Sequence, residues 1–337
     1  MKKNDNLEII PIMHCFNNNY VIPASVAFLS MLENANKNYF YKLYVLHSDI
    51  TKINQILLTS LVNKFGNATL EFIDMKNKFE DMFEKTKIKG HCSKEMYYKL
   101  IAPEIFLEYE KIIITDVDVI YKGDISKEFI NFKDNNQDYV AGVQMPKLKD
   151  SWLENFMENC YFDWTEDERE KLLIGAGYMI FNLEKLRQDN CVQKFLDCAN
   201  QNLNRLKQPE QDVINTVCYP KIKSLPLKSM VCTYAYDLYK NETDFNNDLR
   251  LSSEELHDAL ENPIQVHYAT YVKPWNNRNC TKADLWYSCL KRLPLFLIEF
   301  VYKKFAALIY LKTKNDQRIQ YRILGIKITI NKNKKDF

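Results

Sequence analysis

The sequence predicts an α/β fold: one Rossmann-like, doubly wound, mainly parallel sheet over residues 1–280, with a basic, apolar helical C-terminal extension over 281–337. Three observations predict it. Strand-like and helix-like segments alternate from residue 7 onward. A tight polar turn joins the first strand to the first helix. An apolar run, Lys111-Ile112-Ile113-Ile114-Thr115-Asp116-Val117-Asp118-Val119-Ile120, reads as a buried strand that ends in two carboxylates.

Leu7 to Met13 reads as the first strand, followed by the turn His14 to Asn19 and an apolar helix from about Tyr20 to Asn34. A strand, a short polar loop and a helix open a nucleotide-binding α/β unit, in which backbone and small polar side chains meet a base and ribose. There is no G-x-G-x-x-G, which disfavours a dinucleotide fold, and Asn17 to Asn19 fit a plain turn equally well, since Asn tolerates the left-handed region. Tyr41 to His47 alternates as strand two, Thr51 to Phe65 has helical spacing with Thr51 as N-cap, and Ala68 to Ile73 is strand three. Ser93 to Phe106 reads as a helix; its Tyr97, Tyr98 and Lys99 either line a cleft or serve as core and surface. Tyr139 to Gln144 is another strand, and Lys147 to Lys171 is an aromatic and acidic insertion. Gly175 to Asn182 is an apolar strand whose glycines allow a close ligand or a bulge. Pro209 suits the first turn of a helix, with Glu210 and Asp212 near its positive end. Ile264 to Tyr268 is a short strand leading to Lys273-Pro274-Trp275.

In an extended segment alternate side chains share a face, so Asp116 and Asp118 converge while Val117 turns away. Two carboxylates that close repel unless a cation sits between them, and hard divalent ions prefer carboxylate oxygen; Mg²⁺ or Mn²⁺ is the expected ligand. Solvated acids at a strand end are the alternative.

Composition narrows the class. At 337 residues, 46% hydrophobic and 27% charged, the chain is an ordinary folded protein with a large core. The run Ile9 to Met13 is too short for a signal peptide, and nine cysteines without a C-x-x-C spacing fit free thiols in a reducing compartment, so an unexported, cytoplasmic protein without zinc is expected. The net charge of +2 is uneven: from Lys291 onward 12 Lys/Arg face 3 acids, or +9, which leaves −7 on the body. An acidic body without a binding motif argues against nucleic acid.

Asn19-Tyr20, Tyr98-Lys99-Leu100, Asp116-Val117-Asp118, Gly175-Ala176-Gly177, Gln211-Asp212 with Asn215, and His267-Tyr268 followed by Lys273-Pro274-Trp275 occur in this order. Together they resemble the retaining glycosyltransferases of family 8, particularly bacterial lipopolysaccharide galactosyl- and glucosyltransferases, with glycogenin more distant. The resemblance spans about residues 7–280. It implies a GT-A type nucleotide-diphospho-sugar transferase fold and a donor of UDP-galactose or UDP-glucose. It assigns Asp116, Asp118 and His267 to Mn²⁺ (or Mg²⁺), Cys15, Phe16, Asn17, Asn19 and Val117 to the nucleoside, and Lys273 to the diphosphate. Lys99 and His91 match donor-site positions, and Ala176, Glu210 and Gln211 surround the transferred hexose. Gln211 stands at the nucleophile position of relatives; an amide is a poor nucleophile, so front-face attack with Gln211 as a stabiliser is expected over a covalent intermediate. Gly175 replaces an Asn common in relatives, Glu210 an Asp, and Asn17 an acid; Thr270 stands near a frequent glycine and no acid follows Gln144. These departures bear on the sugar and, less, on the nucleotide.

The acceptor implied is an oligosaccharide or glycolipid at a membrane. The apolar stretch Pro294 to Leu311, interrupted by Glu299, Lys303 and Lys304, is too charged to span and reads as an interfacial helix. Arg318, Arg322, Lys327, Lys332, Lys334 and Lys335 then meet anionic headgroups, placing the protein peripherally on the inner face. A helix packed on the main domain is the alternative. Two other functions fit parts of the pattern. One is a nucleotide-sugar-binding protein without efficient turnover; the other is a haloacid-dehalogenase-like phosphohydrolase using Asp116 as nucleophile, which leaves His267 to Trp275 unexplained.

Overall fold

The computed structural model describes residues 7–85, 93–132 and 137–294, and the backbone of 310–314, 318–323 and 326–331. It falls into two compact units, Met1–Cys289 and Leu290–Phe337.

The first unit is built on a seven-stranded sheet. Its strands are β1 (Glu8–Cys15), β2 (Tyr39–His47), β3 (Ala68–Asp74), β4 (Lys111–Thr115), β6 (Val140–Gln144), β7 (Ile174–Asn182) and β8 (Ile222–Leu225). β5 (Val119–Tyr121), β9 (Val231–Cys232) and β10 (Gln265–His267) form a separate small sheet. The large sheet runs β3-β2-β1-β4-β7-β6-β8. β1 lies parallel to both β2 and β4, whereas β7 runs antiparallel to β4 and β6. The sheet is therefore mixed and mainly parallel. Chain direction turns away on either side of β1 and β4, and the crevice beyond their carboxyl ends is where such sheets take ligands.

Burial explains the strand sequences. Every residue of β7 is buried, as are Ile112, Ile113 and Ile114 of β4, so both read as continuous apolar runs instead of alternating ones. The helix Val21–Glu33 is buried along nearly its whole length, which suits a sequence apolar on all sides. Thr51 caps the helix Lys52–Val62 by accepting from the Asn54 N–H. The segment expected as one helix over 93–106 is instead a 3₁₀ helix, Lys94–Ile101, running into a short α-helical turn, Ala102–Ile105. Its three-residue period stacks Met96 and Lys99 on one side, and both line the cleft described below. The insertion forms two short helices, Trp152–Cys160 and Glu166–Glu170, the second closed by a capping box from Thr165 and Glu168.

In the second unit, β11 (Tyr310–Lys314), β12 (Arg318–Ile323) and β13 (Ile326–Asn331) form an antiparallel sheet. This corrects the helical extension expected there: Arg-Ile-Gln-Tyr-Arg-Ile and Ile-Lys-Ile-Thr-Ile-Asn alternate with a period of two. In that sheet Ile319 registers with Ile330, Tyr321 with Ile328 and Arg322 with Lys327. Most of the apolar stretch read as an interfacial helix, residues 295–309, lies outside the described residues, as do Lys332, Lys334 and Lys335. Among the described residues no helix is long and apolar enough to cross a membrane.

Candidate active site

A cleft of about 500 Å³ opens at the carboxyl ends of β1 and β4. Asp116 follows β4 directly, and its N–H is held by the Gly177 carbonyl at 3.2 Å. Thr115 Oγ1 donates to the same carbonyl at 3.0 Å, so the β4 terminus is pinned to β7. Asp118 precedes β5, where Val119 registers with His267 of β10. The small sheet thereby brings a histidine some 150 residues away in sequence beside the two carboxylates. His267 Nε2 lies 3.3 Å from Asp118 Oδ1 and 3.6 Å from Asp116 Oδ2. Gly177 makes this approach possible, because a Cβ there would stand 2.4 Å from His267 Cε1 and Nδ1.

Asp116, Asp118 and His267 offer ligand atoms within 4.8 Å of one another, the one such group among the described residues. Two carboxylates and an imidazole form the mixed oxygen and nitrogen set that suits Mn²⁺, so the residues present fit a divalent ion. Side-chain cations balance the carboxylates. Lys273 Nζ lies 2.6 Å from Asp118 Oδ2, and Lys99 Nζ 2.8 Å from Asp116 Oδ1. Burial alone would raise the Asp118 pKa, but Lys273 and then His267 hold it well below the ordinary carboxylate range. For His267 burial opposes the charge, yet the Asp118 carboxylate outweighs it and raises the imidazole to about 10.

Lys99 is 2% exposed and does not project into solvent as a surface lysine would. Its ammonium also reaches Glu210 Oε1 and the Ala176 carbonyl, each at 3.1 Å, which ties Asp116 to Glu210 and to β7. Glu210 and Gln211 open the helix Pro209–Cys218. Gln211 Oε1 accepts from the Ala176 N–H at 2.9 Å, and its Nε2 donates to Met145 Sδ at 3.7 Å. A backbone N–H can only donate, so this contact fixes which end of the amide faces β7. Asn215, one turn on, clamps the same helix to β7 through Leu173, Ile174 and the Gln211 carbonyl.

Cys15, Phe16, Val117, Ala176 and Lys273 line the cleft with Asp116, Asp118, Glu210, Gln211 and His267. Asn17 and Asn19 are not in that wall. Asn17 Oδ1 accepts from the Asn19 N–H at 3.1 Å within the turn, and its Nδ2 donates to Glu95 of the 3₁₀ helix at 3.4 Å. His91 lies outside the described residues. Thr270 and Gln144 line the cleft.

Several residues of the site carried no signal in the sequence. Met230 lies over both glycines of β7: a Cβ at 175 would meet its Cε at 2.9 Å, and one at 177 its Sδ at 2.8 Å. Cys232 touches His267 across the β9–β10 pair. Trp152 and Phe156 of the insertion form an outer wall and remain substantially exposed. Asp212 is buried, accepting from the Lys207 and Gln208 N–H groups and the Tyr161 hydroxyl; burial pushes its pKa up to about 7. A helix-starting acid gave no reason to expect such enclosure.

Comparison with known proteins agrees with this geometry. General stress protein A of Bacillus subtilis (strain 168) is 26% identical over 274 residues, covering 80% of this chain and 88% of that protein. The lipopolysaccharide 1,2-glucosyltransferase of Escherichia coli is 24% identical over 288 residues, covering 84% and 78%. Among solved structures, the galactosyltransferase LgtC in complex with donor and acceptor sugar analogs superposes with a TM-score of 0.66 at 16% identity. That match covers 86% of this chain and 99% of LgtC, and it shows a shared GT-A fold. The family description "Glycosyl transferase family 8" matches residues 11–279, most of the chain. The phosphohydrolase reading of Asp116 falls with that match, and the chain belongs to glycosyl transferase family 8.

Proposed function

We propose that this glycosyltransferase is a metal-dependent, retaining hexosyltransferase that moves galactose or glucose from a UDP-sugar to a saccharide acceptor. The acceptor class that fits its lipopolysaccharide-glycosyltransferase relatives is a lipopolysaccharide, a lipooligosaccharide or another cell-surface glycan. The observation that carries the reading is the convergence of Asp116, Asp118, His267, Lys273, Glu210 and Gln211 in one cleft.

A divalent ion held by Asp116, Asp118 and His267 would supply positive charge to a diphosphate as its leaving oxygen becomes anionic. Lys273 is the protein's own source of such charge. Its ammonium rests on Asp118, so a few ångströms of movement exchange one anion for another. The bond broken joins the anomeric carbon to the diphosphate oxygen, which keeps the electron pair; the acceptor hydroxyl forms the new bond from the same face. Its proton passes to the departing oxygen, so no strong protein acid is needed. Gln211 is anchored through one lone pair of Oε1 at Ala176, which leaves the other lone pair and an amide hydrogen for the sugar. Glu210 is held by Lys99 and is positioned, not free to attack.

The protein is expected to work at the inner face of the cytoplasmic membrane. The support for this is the +9 balance from Lys291 onward, which favours anionic lipid. The experiment that tests the function is UDP release from a panel of UDP-hexoses, with and without Mn²⁺. Release from one sugar, abolished by EDTA and by Asp116→Asn, is the expected result. No release and no UDP-sugar binding would refute it.

A further inference from the structure

His267 presents Nε2 to the two carboxylates and Nδ1 to Cys232, whose Sγ lies 3.8 Å away. The fold builds this contact. Cys232 and His267 are registered partners in the parallel pair β9–β10, and both are buried. The imidazole is walled on another side by Gly177, where even a methyl group would overlap the ring.

A neutral imidazole has one N–H and one lone pair, and the partner of one nitrogen decides the role of the other. For Nε2 to offer its lone pair to a cation shared with Asp116 and Asp118, Nδ1 must carry the hydrogen and needs an acceptor. Such acceptors are usually carboxylates or carbonyls. Here the acceptor is the Cys232 sulfur.

We infer that Cys232 is a positioning residue for His267: an Nδ1–H···Sγ hydrogen bond fixes its tautomer and aim, so that divalent-metal affinity depends on an acceptor at position 232. This rests on the metal-dependent reading above. The test uses the full chain and Mn²⁺ with UDP, reading the free Mn²⁺ signal by electron paramagnetic resonance. Cys232→Ala and Cys232→Val should weaken binding by about 10- to 100-fold, the range for lost partners of metal-bound histidines. Cys232→Ser, which restores an acceptor, should bind close to wild type. Long-range ¹H–¹⁵N spectra of the Mg²⁺-loaded protein, which has five histidines, should place the His267 hydrogen on Nδ1 in wild type and lose that single tautomer in Cys232→Val. The valine fills the thiol's space, so it remains informative if the alanine variant does not fold. Wild-type affinity in folded Cys232→Val, or failure of serine to rescue, would overturn the inference alone. A wild-type protein that binds no Mn²⁺ with UDP would instead overturn the metal reading and this inference with it.

Discussion

Replacing Lys99 by Met tests the link between the two halves of the site. The ammonium bonds Asp116 Oδ1 at 2.8 Å, Glu210 Oε1 at 3.1 Å and the Ala176 carbonyl at 3.1 Å, from a side chain that is 2% exposed. Methionine fits the volume but leaves two carboxylates facing each other without their cation. Breaking a buried ion pair by removing one partner costs about 3–5 kcal/mol. Asp116 is 28% exposed and Glu210 13%, so water recovers part of that, and about 3 kcal/mol is the reasonable figure. For a unit of 289 residues, unfolding entropy at about 2.1 cal/mol/K per residue gives about 0.6 kcal/mol/K, so the melting temperature should fall by about 5 °C.

The assay is thermal unfolding with and without Mn²⁺ and UDP. A cation bound at Asp116 partly replaces the missing ammonium, so the deficit of Lys99→Met should shrink when both ligands are present, beyond the stabilisation they give wild type. A melting temperature within 1 °C of wild type without ligand would refute the claim that Lys99 holds the carboxylates together. An equal deficit with and without metal would separate it from the metal site.

Other substitutions bear on neighbouring parts of the cleft. Asp118→Ala should abolish Mn²⁺-dependent UDP binding by calorimetry while circular dichroism stays native; unchanged turnover would sink the metal assignment. Gly177→Ala should keep the fold but lower Mn²⁺ affinity more than Gly175→Ala does, because its Cβ meets the His267 ring at 2.4 Å, whereas the one tight contact at position 175 is the flexible end of Met230. Asp212 has a carboxyl raised from 3.8 to about 7, so the native state binds more protons than the unfolded chain in that interval, and stability falls as pH rises through it. At 1.36 kcal/mol per pH unit the loss reaches at most about 4 kcal/mol by pH 7.5, and urea titrations should show it in wild type but not in Asp212→Asn.

The parts of this protein that could be read from its sequence are those in which neighbours in the chain act together. Ile112 to Thr115 with Asp116 and Asp118 declare a buried strand and a convergent pair of acids within seven residues, and the Pro209 helix start declares itself through proline and acids. Strand edges, the Thr51 cap and the alternation of β and α units follow from equally local rules. What escaped depends on pairing across the chain. Nothing near Cys232 or Met230 marks them, since a short Met-Val-Cys run becomes part of the site only when β9 registers against β10 and lies over the glycines of β7. Lys99 was legible as a basic residue beside a cleft, but its burial depends on Asp116 and Glu210, 17 and 111 residues away. Asn17 shows the same dependence: its place in the turn is local, but its Nδ2 contact is Glu95, 78 residues away. The tail shows the same division. Its basic charge is a sum over composition, but the period behind β11, β12 and β13 is a property of order. Residue type thus identifies which chemistry the cleft can perform. Long-range pairing decides which of those residues remain free to perform it.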